Sequence, residues 1–328
     1  MIILTGGAGF IGSNLLAALE ERGCREIVVC DRLGEGEKWR NLAKRELAGF
    51  IEPDRLLPFL ERRAGEVDTI FHMGAISATT ERNADLIVDT NFTFSTTLWD
   101  WCVRHDARFI YASSAAAYGD GRAGFDDDGS PEALARLRPM NAYGWSKLLF
   151  DRRVARIIRE GGRRPRQWAG LRFFNVYGPN EYHKGGMRSV TLQVHERVAA
   201  GEPAVLFRSH NPKYSDGGQL RDFIWVGDCV DAMMWLYDSP QVSGLYNLGT
   251  GAARSFADLA AAVFAAHGKH PNIRYVDTPA EIRDRYQYFT EAKMDRLKGA
   301  GYGKPFTRLE DGVALYVKNF LSQLDPYR

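Results

Sequence analysis

Apolar residues recur in two alternating rhythms along the first half of the chain. Ile2, Ile3 and Leu4 make a short unbroken run, Leu15, Leu16 and Leu19 follow at helical spacing as far as Gly23, and 27–29 make a second run. Unbroken runs suit strands covered on both faces, and the three-to-four-residue spacing suits a helix with one apolar face. The order therefore predicts strand, helix, parallel strand. It continues through Thr69–His72, a helix over 94–101, a strand over 109–112 and a long amphipathic stretch over 142–158. Strands alternating with helices predict an α/β protein with a doubly wound parallel sheet.

After Leu171 the pattern loosens into glycine, proline and polar stretches, with strand-like 223–226 and 245–248 and a helix over 257–266. These predict a smaller α/β lobe interleaved with the sheet: 1–174 with 220–248 for one domain, 175–219 with 249–328 for a substrate-binding lobe. No internal repeat is present.

Composition narrows the class of partner. The 328 residues carry 43 basic and 41 acidic side chains, a net charge of +2, which offers no electrostatic case for nucleic acid or a membrane surface. Cys24, Cys30, Cys102 and Cys229 form no CxxC, so reduced thiols in a cytoplasm are expected rather than disulfides or zinc. Met1–Thr5 lead straight into a glycine loop, which leaves no room for a signal peptide. No apolar run reaches the roughly 20 residues that span a bilayer. The runs Asp126–Asp128 and Arg163–Arg166 read as solvated loop faces. His267 and His270 lack acidic or thiol companions and read as a solvated turn, so no metal is expected.

Gly6-Gly7-Ala8-Gly9-Phe10-Ile11-Gly12 stands between the first strand and the first helix, with GxGxxG spacing at Gly7, Gly9 and Gly12. Glycines let the backbone approach a pyrophosphate, and the helix start offers it free N–H groups. Asp31 closes the second strand 19 residues beyond Gly12, where a carboxylate meets an adenosine ribose. Arg32 and Lys38 follow, and their charge favours the 2′-phosphate of NADP, with NAD possible.

Tyr143 and Lys147 are four residues apart, on one face of the predicted helix. A phenol with a pKa of about 10 is a poor base at neutral pH, but a neighbouring ammonium and a positive nicotinamide ring favour its phenolate. Tyr143 could then take a proton from a sugar hydroxyl. Ser114, just past the end of a strand, can hydrogen-bond the reacting oxygen.

In this order GGAGFIG, Asp31, FHMGA, SSAAAYG and YGWSK resemble the extended short-chain dehydrogenase/reductase (NAD-dependent epimerase/dehydratase) family over nearly the whole chain. The resemblance implies a Rossmann-like sheet and cofactor contacts from Gly6, Gly9, Phe10, Ile11, Gly12, Asp31, Arg32, Lys38, Met73, Gly74, Ala75, Ser77, Asn91, Lys147 and Val176. RFFNVYGP from Arg172, HKGGM from His183, RDFIWVGD from Arg221, DRYQYFT from Asp284 and GYGKPF from Gly301 are similar to members that invert C6 of ADP-D-glycero-D-manno-heptose. That likeness implies a transient 6-keto sugar and tightly bound NADP that is not consumed. It makes Lys184 the second acid/base and puts Ser114, Asn175, Lys184, Gly186, Gln193, Arg221 and Tyr286 on the substrate side. It also implies a cytoplasmic homo-oligomer, a pentamer, making a lipopolysaccharide precursor. Gly186, where these members commonly have serine, Met73, where they have glutamate, and a longer segment over 211–219 depart from the pattern.

A 4-epimerase would share the cofactor loop and the tyrosine, and the His183-Lys184-Gly185 stretch argues against it. A 4,6-dehydratase would carry Asp-Glu where Ala115 and Ala116 stand. A non-enzymatic dinucleotide-binding sensor or scaffold would typically have lost Tyr143 or Lys147.

Overall fold

The computed structural model describes residues 1–283 and 286–328; Asp284 and Arg285 of the DRYQYFT stretch lie outside the described residues. Seven parallel strands form the central sheet, in the spatial order Gly244–Leu248, Trp168–Phe173, Arg108–Ser114, Thr69–His72, Ile2–Thr5, Ile27–Cys30 and Gly49–Ile51. The unbroken apolar runs have a direct cause. Ile2 and Leu4 pack on one face with the helices Phe10–Glu21 and Val226–Asp238, while Ile3 packs on the other with Trp99, Phe109 and Phe150. A strand covered on both sides has no polar alternation. The chain winds outward one way from Ile2–Thr5, then returns to place Thr69–His72 on its other side. A crevice opens at the carboxyl ends of these two strands, where such folds bind ligands.

The doubly wound sheet stands as expected, and the helix expected over 142–158 runs Ala142–Arg159. Gly49–Ile51 and the helix Pro53–Arg62 go beyond the expected elements, because a three-residue edge strand with no fully buried position carries almost no apolar signal. The strand expected over 223–226 is Phe223–Trp225, and it pairs with Asn175–Tyr177 outside the main sheet.

Beyond the sheet, Val194, Val198, Leu206, Leu259, Val263, Val313 and Tyr316 form a third apolar cluster. It joins the helices Val190–Ala199, Phe256–Ala266 and Leu309–Tyr316 to the parallel pair Ala204–Phe207 and Ile273–Val276.

Two surface readings need correction. Asp127 is not on a solvated face: it is buried, accepts the Asn247 N–H at 2.8 Å, and burial raises its pKa to about 6. His267 is not simply on a solvated turn either, since its Nε2 lies 3.0 Å from Nδ1 of His195. Among the described residues no cluster of three metal-ligating side chains occurs, and no helix is long and apolar enough to cross a membrane.

Candidate active site

The glycine loop is tight because its own backbone fills the space that side chains would need. A Cβ on Gly12 would fall 2.1 Å from the Gly6 carbonyl oxygen, and one on Gly6, whose φ is +68°, would fall 2.5 Å from the Gly74 nitrogen. Gly7 answers a different need, since a Cβ there would strike the Val29 side chain. The helix Phe10–Glu21 begins with no side-chain cap and no acidic residue in its first turn, so its leading N–H groups remain available to an anion.

Gly6, Gly9, Phe10, Ile11 and Gly12 line one side of a cleft of about 630 Å³, with Asp31, Lys38, Met73, Gly74, Ala75 and Ser77 beside them. Asp31 is nearly buried and occupied from several sides. Its carboxylate accepts the Ala8 N–H at 2.9 Å, the Arg32 N–H at 2.7 Å and the Lys38 ammonium at 2.6 Å. Arg32 lines an adjoining cavity of about 400 Å³, and its guanidinium meets Asp54 at 2.7 Å.

The opposite end of the cleft holds the tyrosine. Asn141 caps the helix Ala142–Arg159 by accepting the Gly144 N–H at 2.8 Å. Gly144 lets that helix start press on the turn after Ser114, for a Cβ there would lie 2.5 Å from the Ala116 carbonyl oxygen. Tyr143 is thereby brought to Ser114, and Lys147 donates to the Ala112 carbonyl at 2.8 Å. Burial lowers the Lys147 pKa to about 8, against the pull of Asp151. Burial raises the Tyr143 pKa, and the hydrogen bond with Ser114 only offsets it. The expectation that Lys147 draws this phenol down is therefore not met in the protein alone; the ammonium is itself desolvated and spent on a carbonyl.

Lys184 faces the same cleft from a different part of the chain. It lies in the short 3-10 segment Tyr182–Met187, with its ammonium 5.5 Å from the centre of the Phe10 ring. Glu181 steadies this segment by accepting from the Ser189 hydroxyl at 2.6 Å, from the Ser189 N–H, and from the Tyr316 hydroxyl at 3.1 Å. Burial lowers the Lys184 pKa, opposed by Glu181. Asn175 and Val176 complete the wall.

Not every expected contact reaches the cleft. Asn91 is buried behind it, holding Ile76 through both backbone groups and donating to Ser146 at 3.0 Å, so it braces the wall rather than lining it. Gly186 is exposed and outside the lining, and Gln193 is exposed and donates to the Arg188 carbonyl at 2.9 Å. Arg221 also stands back. Its guanidinium lies 5.5 Å from the ring centres of Phe256 and Tyr286 and donates to the Leu220 and Gln287 carbonyls. Of that group, Phe256 reaches the cleft. His183, Met187, Ser189 and Thr191, from the stretch around Lys184, and Phe223 and Leu259, from segments far along the chain, line it without being expected there. His183 and Met187 fall in the HKGGM stretch and Phe223 in RDFIWVGD; Ser189, Thr191 and Leu259 have no such signal.

Comparison with known proteins agrees with this geometry. The profile of the NAD dependent epimerase/dehydratase family matches residues 2–249. The chain is 48% identical to the ADP-L-glycero-D-manno-heptose-6-epimerase of Nitratidesulfovibrio vulgaris strain DP4 and 43% identical to that of Fusobacterium nucleatum, covering 100% of both chains in each case. Its fold is similar to the Helicobacter pylori ADP-L-glycero-D-manno-heptose-6-epimerase, with TM-score 0.77, 28% identity and coverage of 98% of this chain and 96% of that one. It is also similar to the Thermus thermophilus UDP-glucose 4-epimerase solved with NAD, with TM-score 0.77, 25% identity and coverage of 98% and 99%. With the glycine loop, the Tyr143/Lys147 helix and the crevice between reversing strands in place, the chain belongs to the NAD dependent epimerase/dehydratase family.

Proposed function

We propose that the protein inverts C6 of ADP-D-glycero-D-manno-heptose to give the L-glycero epimer through a 6-keto sugar, with NADP as its retained cofactor. One observation carries the reading: Tyr143 with Ser114, and Lys184 from a separate segment, line a single cleft that begins at the glycine loop. The reading agrees with the full-length relatives of that name.

The residues present fit a dinucleotide. Backbone closeness at Gly6 and Gly12 leaves no side chain between the helix start and a pyrophosphate. Lys38 and Arg32 beside Asp31 supply the positive charge that a 2′-phosphate requires and support NADP over NAD. When bound, the nicotinamide supplies an acceptor and then a donor of hydride. Tyr143 takes the proton of the C6 hydroxyl while Ser114 hydrogen-bonds that oxygen; burial alone leaves this phenol above its ordinary value, so the phenolate is favoured by the positive nicotinamide ring together with the Lys147 charge. The 6-keto sugar then turns within the cleft. The turned ketone presents its other face to the returning hydride, and that change of face inverts C6, while Lys184 gives a proton to the oxygen now on its own side. Arg221 and Asn175, with Tyr286 beside Arg221, serve the diphosphate and sugar.

The third apolar cluster supports a division into 1–174 with 220–248 and a substrate lobe of 175–219 with 249–328, although Met294, Leu297 and Tyr302 pack back onto the sheet side. A cytoplasmic homo-oligomer, a pentamer serving lipopolysaccharide synthesis, follows from the same reading. The test is to incubate the purified protein with ADP-D-glycero-D-manno-heptose, adding no cofactor, and follow C6 by NMR. Appearance of the L-glycero epimer is expected; no conversion even with added NADP would overturn the reading and turn attention to 4-epimerisation.

A further inference from the structure

Below the cleft, the helix Ala142–Arg159 carries Tyr143, Lys147 and Asp151 at successive four-residue steps. Asp151 is 2% exposed, and Arg172, on the strand Trp168–Phe173, is fully buried. The carboxylate accepts from Arg172 Nε at 3.0 Å, from one terminal guanidinium nitrogen at 2.9 Å, from the Ser113 hydroxyl at 2.8 Å and from the Tyr111 hydroxyl at 3.2 Å. The guanidinium also lies 4.7 Å from the centre of the Tyr118 ring, and its other terminal nitrogen has no acceptor among the described residues. A buried ion pair is no more stabilising than well-packed apolar residues of the same volume. This one stands a single helical turn from Lys147.

We propose that Asp151 is a positioning residue for the reaction: its buried carboxylate keeps Lys147 in the ammonium form beside Tyr143, and Arg172 limits that pull. This rests on the acid/base reading of Tyr143 and Lys147 given above. Several groups face Lys147. On its own helix these are Tyr143 and Asp151; on the strand Arg108–Ser114 they are the Ala112 carbonyl, Ser113, Ser114 and Tyr111. From Thr69–His72 comes His72, which burial and Lys147 push down to about 3 and so keep neutral. Arg172 lies behind Asp151, and His183 and Lys184 stand on the facing wall. Burial pulls the Lys147 proton off and Asp151 holds it on. Neutralising Asp151 while Arg172 remains makes Lys147 lose its proton at lower pH; neutralising Arg172 while Asp151 remains does the reverse.

The experiment records kcat against pH for Asp151→Asn and Arg172→Gln, together with the titration of Lys147 itself, followed by competitive acetylation with acetic anhydride and peptide mapping. Asp151→Asn is expected to move both the Lys147 titration and the alkaline limb down by about one pH unit. Arg172→Gln should move both up, and Asp151→Glu should restore the original limb. Equal loss of activity at every pH, with the Lys147 titration unmoved in both variants, would overturn the proposal. Should either charge variant fail to fold, Ser113→Ala and Tyr111→Phe each remove one donor from Asp151 and are expected to move Lys147 upward; an unmoved titration in both overturns it equally. The acetylation readout needs no sugar substrate, so a wrong substrate assignment and a wrong role for Asp151 give different results.

Discussion

On one side of the cleft Tyr143 and Lys147 sit on an 18-residue helix, capped by Asn141 and pressed onto the central sheet. On the other, Lys184 sits on a six-residue 3-10 segment kept in place by Glu181, Ser189 and Tyr316. The first pair is set by periodic backbone structure, so its spacing alone places both groups. The second is set by side-chain hydrogen bonds, one of them spanning 135 residues, so its placement depends on the whole fold. Two groups to which the proposed reaction gives matching proton chemistry thus stand on supports of unequal stiffness.

The strongest test of that contrast is at the reacting groups. Tyr143→Phe should lower kcat by roughly 10²–10⁴-fold with folding intact, and Lys184→Met should do likewise, as acid/base groups contribute on that scale; rates come from NMR of C6 and folding from circular dichroism. Full activity in Lys184→Met would remove the second wall from the chemistry altogether. A solvent-exchange measurement belongs with these: turnover in heavy water should leave no deuterium at C6.

A smaller effect is expected at the supports. Glu181→Gln turns one of the two accepting oxygens of this buried carboxyl into a donor and should cost roughly 1–3 kcal/mol, read as a lower Tm, because a buried polar group left without its partner costs about that much. Its kcat should fall while Tyr143 chemistry stays intact, whereas on the helix side loss of the Asn141 cap leaves the remaining backbone bonds of eighteen residues in place. An unchanged Tm would mean that the loop is held by packing instead.

pH separates the walls further. The Lys147 pKa is about 8 in the folded chain against an ordinary 10.5, so between those values the unfolded chain binds more protons and stability rises with pH. Lys147→Met should remove a slope of up to about 1.4 kcal/mol per pH unit from denaturant-derived stability in that window. The smallest expected change lies at the cofactor end. Arg32 is exposed and already paired with Asp54, so Arg32→Ala should weaken NADP by about 2- to 5-fold, the scale of an exposed ion pair, and leave NAD unchanged in a fluorescence titration.

The same contrast governs what is legible in the amino-acid sequence. The strands of the sheet centre, the Ala142–Arg159 helix and the glycine loop are legible because burial on two faces, helical period and a tight turn each leave a local mark. Gly49–Ile51 leaves none, being short and at an edge. Asp127 reads as one of three surface acids because its partner, the Asn247 N–H, lies 120 residues away. Resemblance puts Asn91 against the cofactor, but its amide is consumed by Ile76 and Ser146. Lys184 is marked by the HKGGM stretch alone, and nothing local reveals Glu181 as its support.

The strand order also has a consequence for biosynthesis. Trp168–Phe173 is joined on one side by Arg108–Ser114, made earlier, but on the other by Gly244–Leu248, which emerges some 70 residues later. At roughly 5–20 residues per second a ribosome leaves that edge waiting for about 4 to 15 s with its N–H and C=O groups unpaired. Arg172, near the end of the waiting edge, is already neutralised by Asp151 from the earlier helix, so that edge stays open to a neighbouring nascent chain until Asn247 arrives opposite it and closes the sheet.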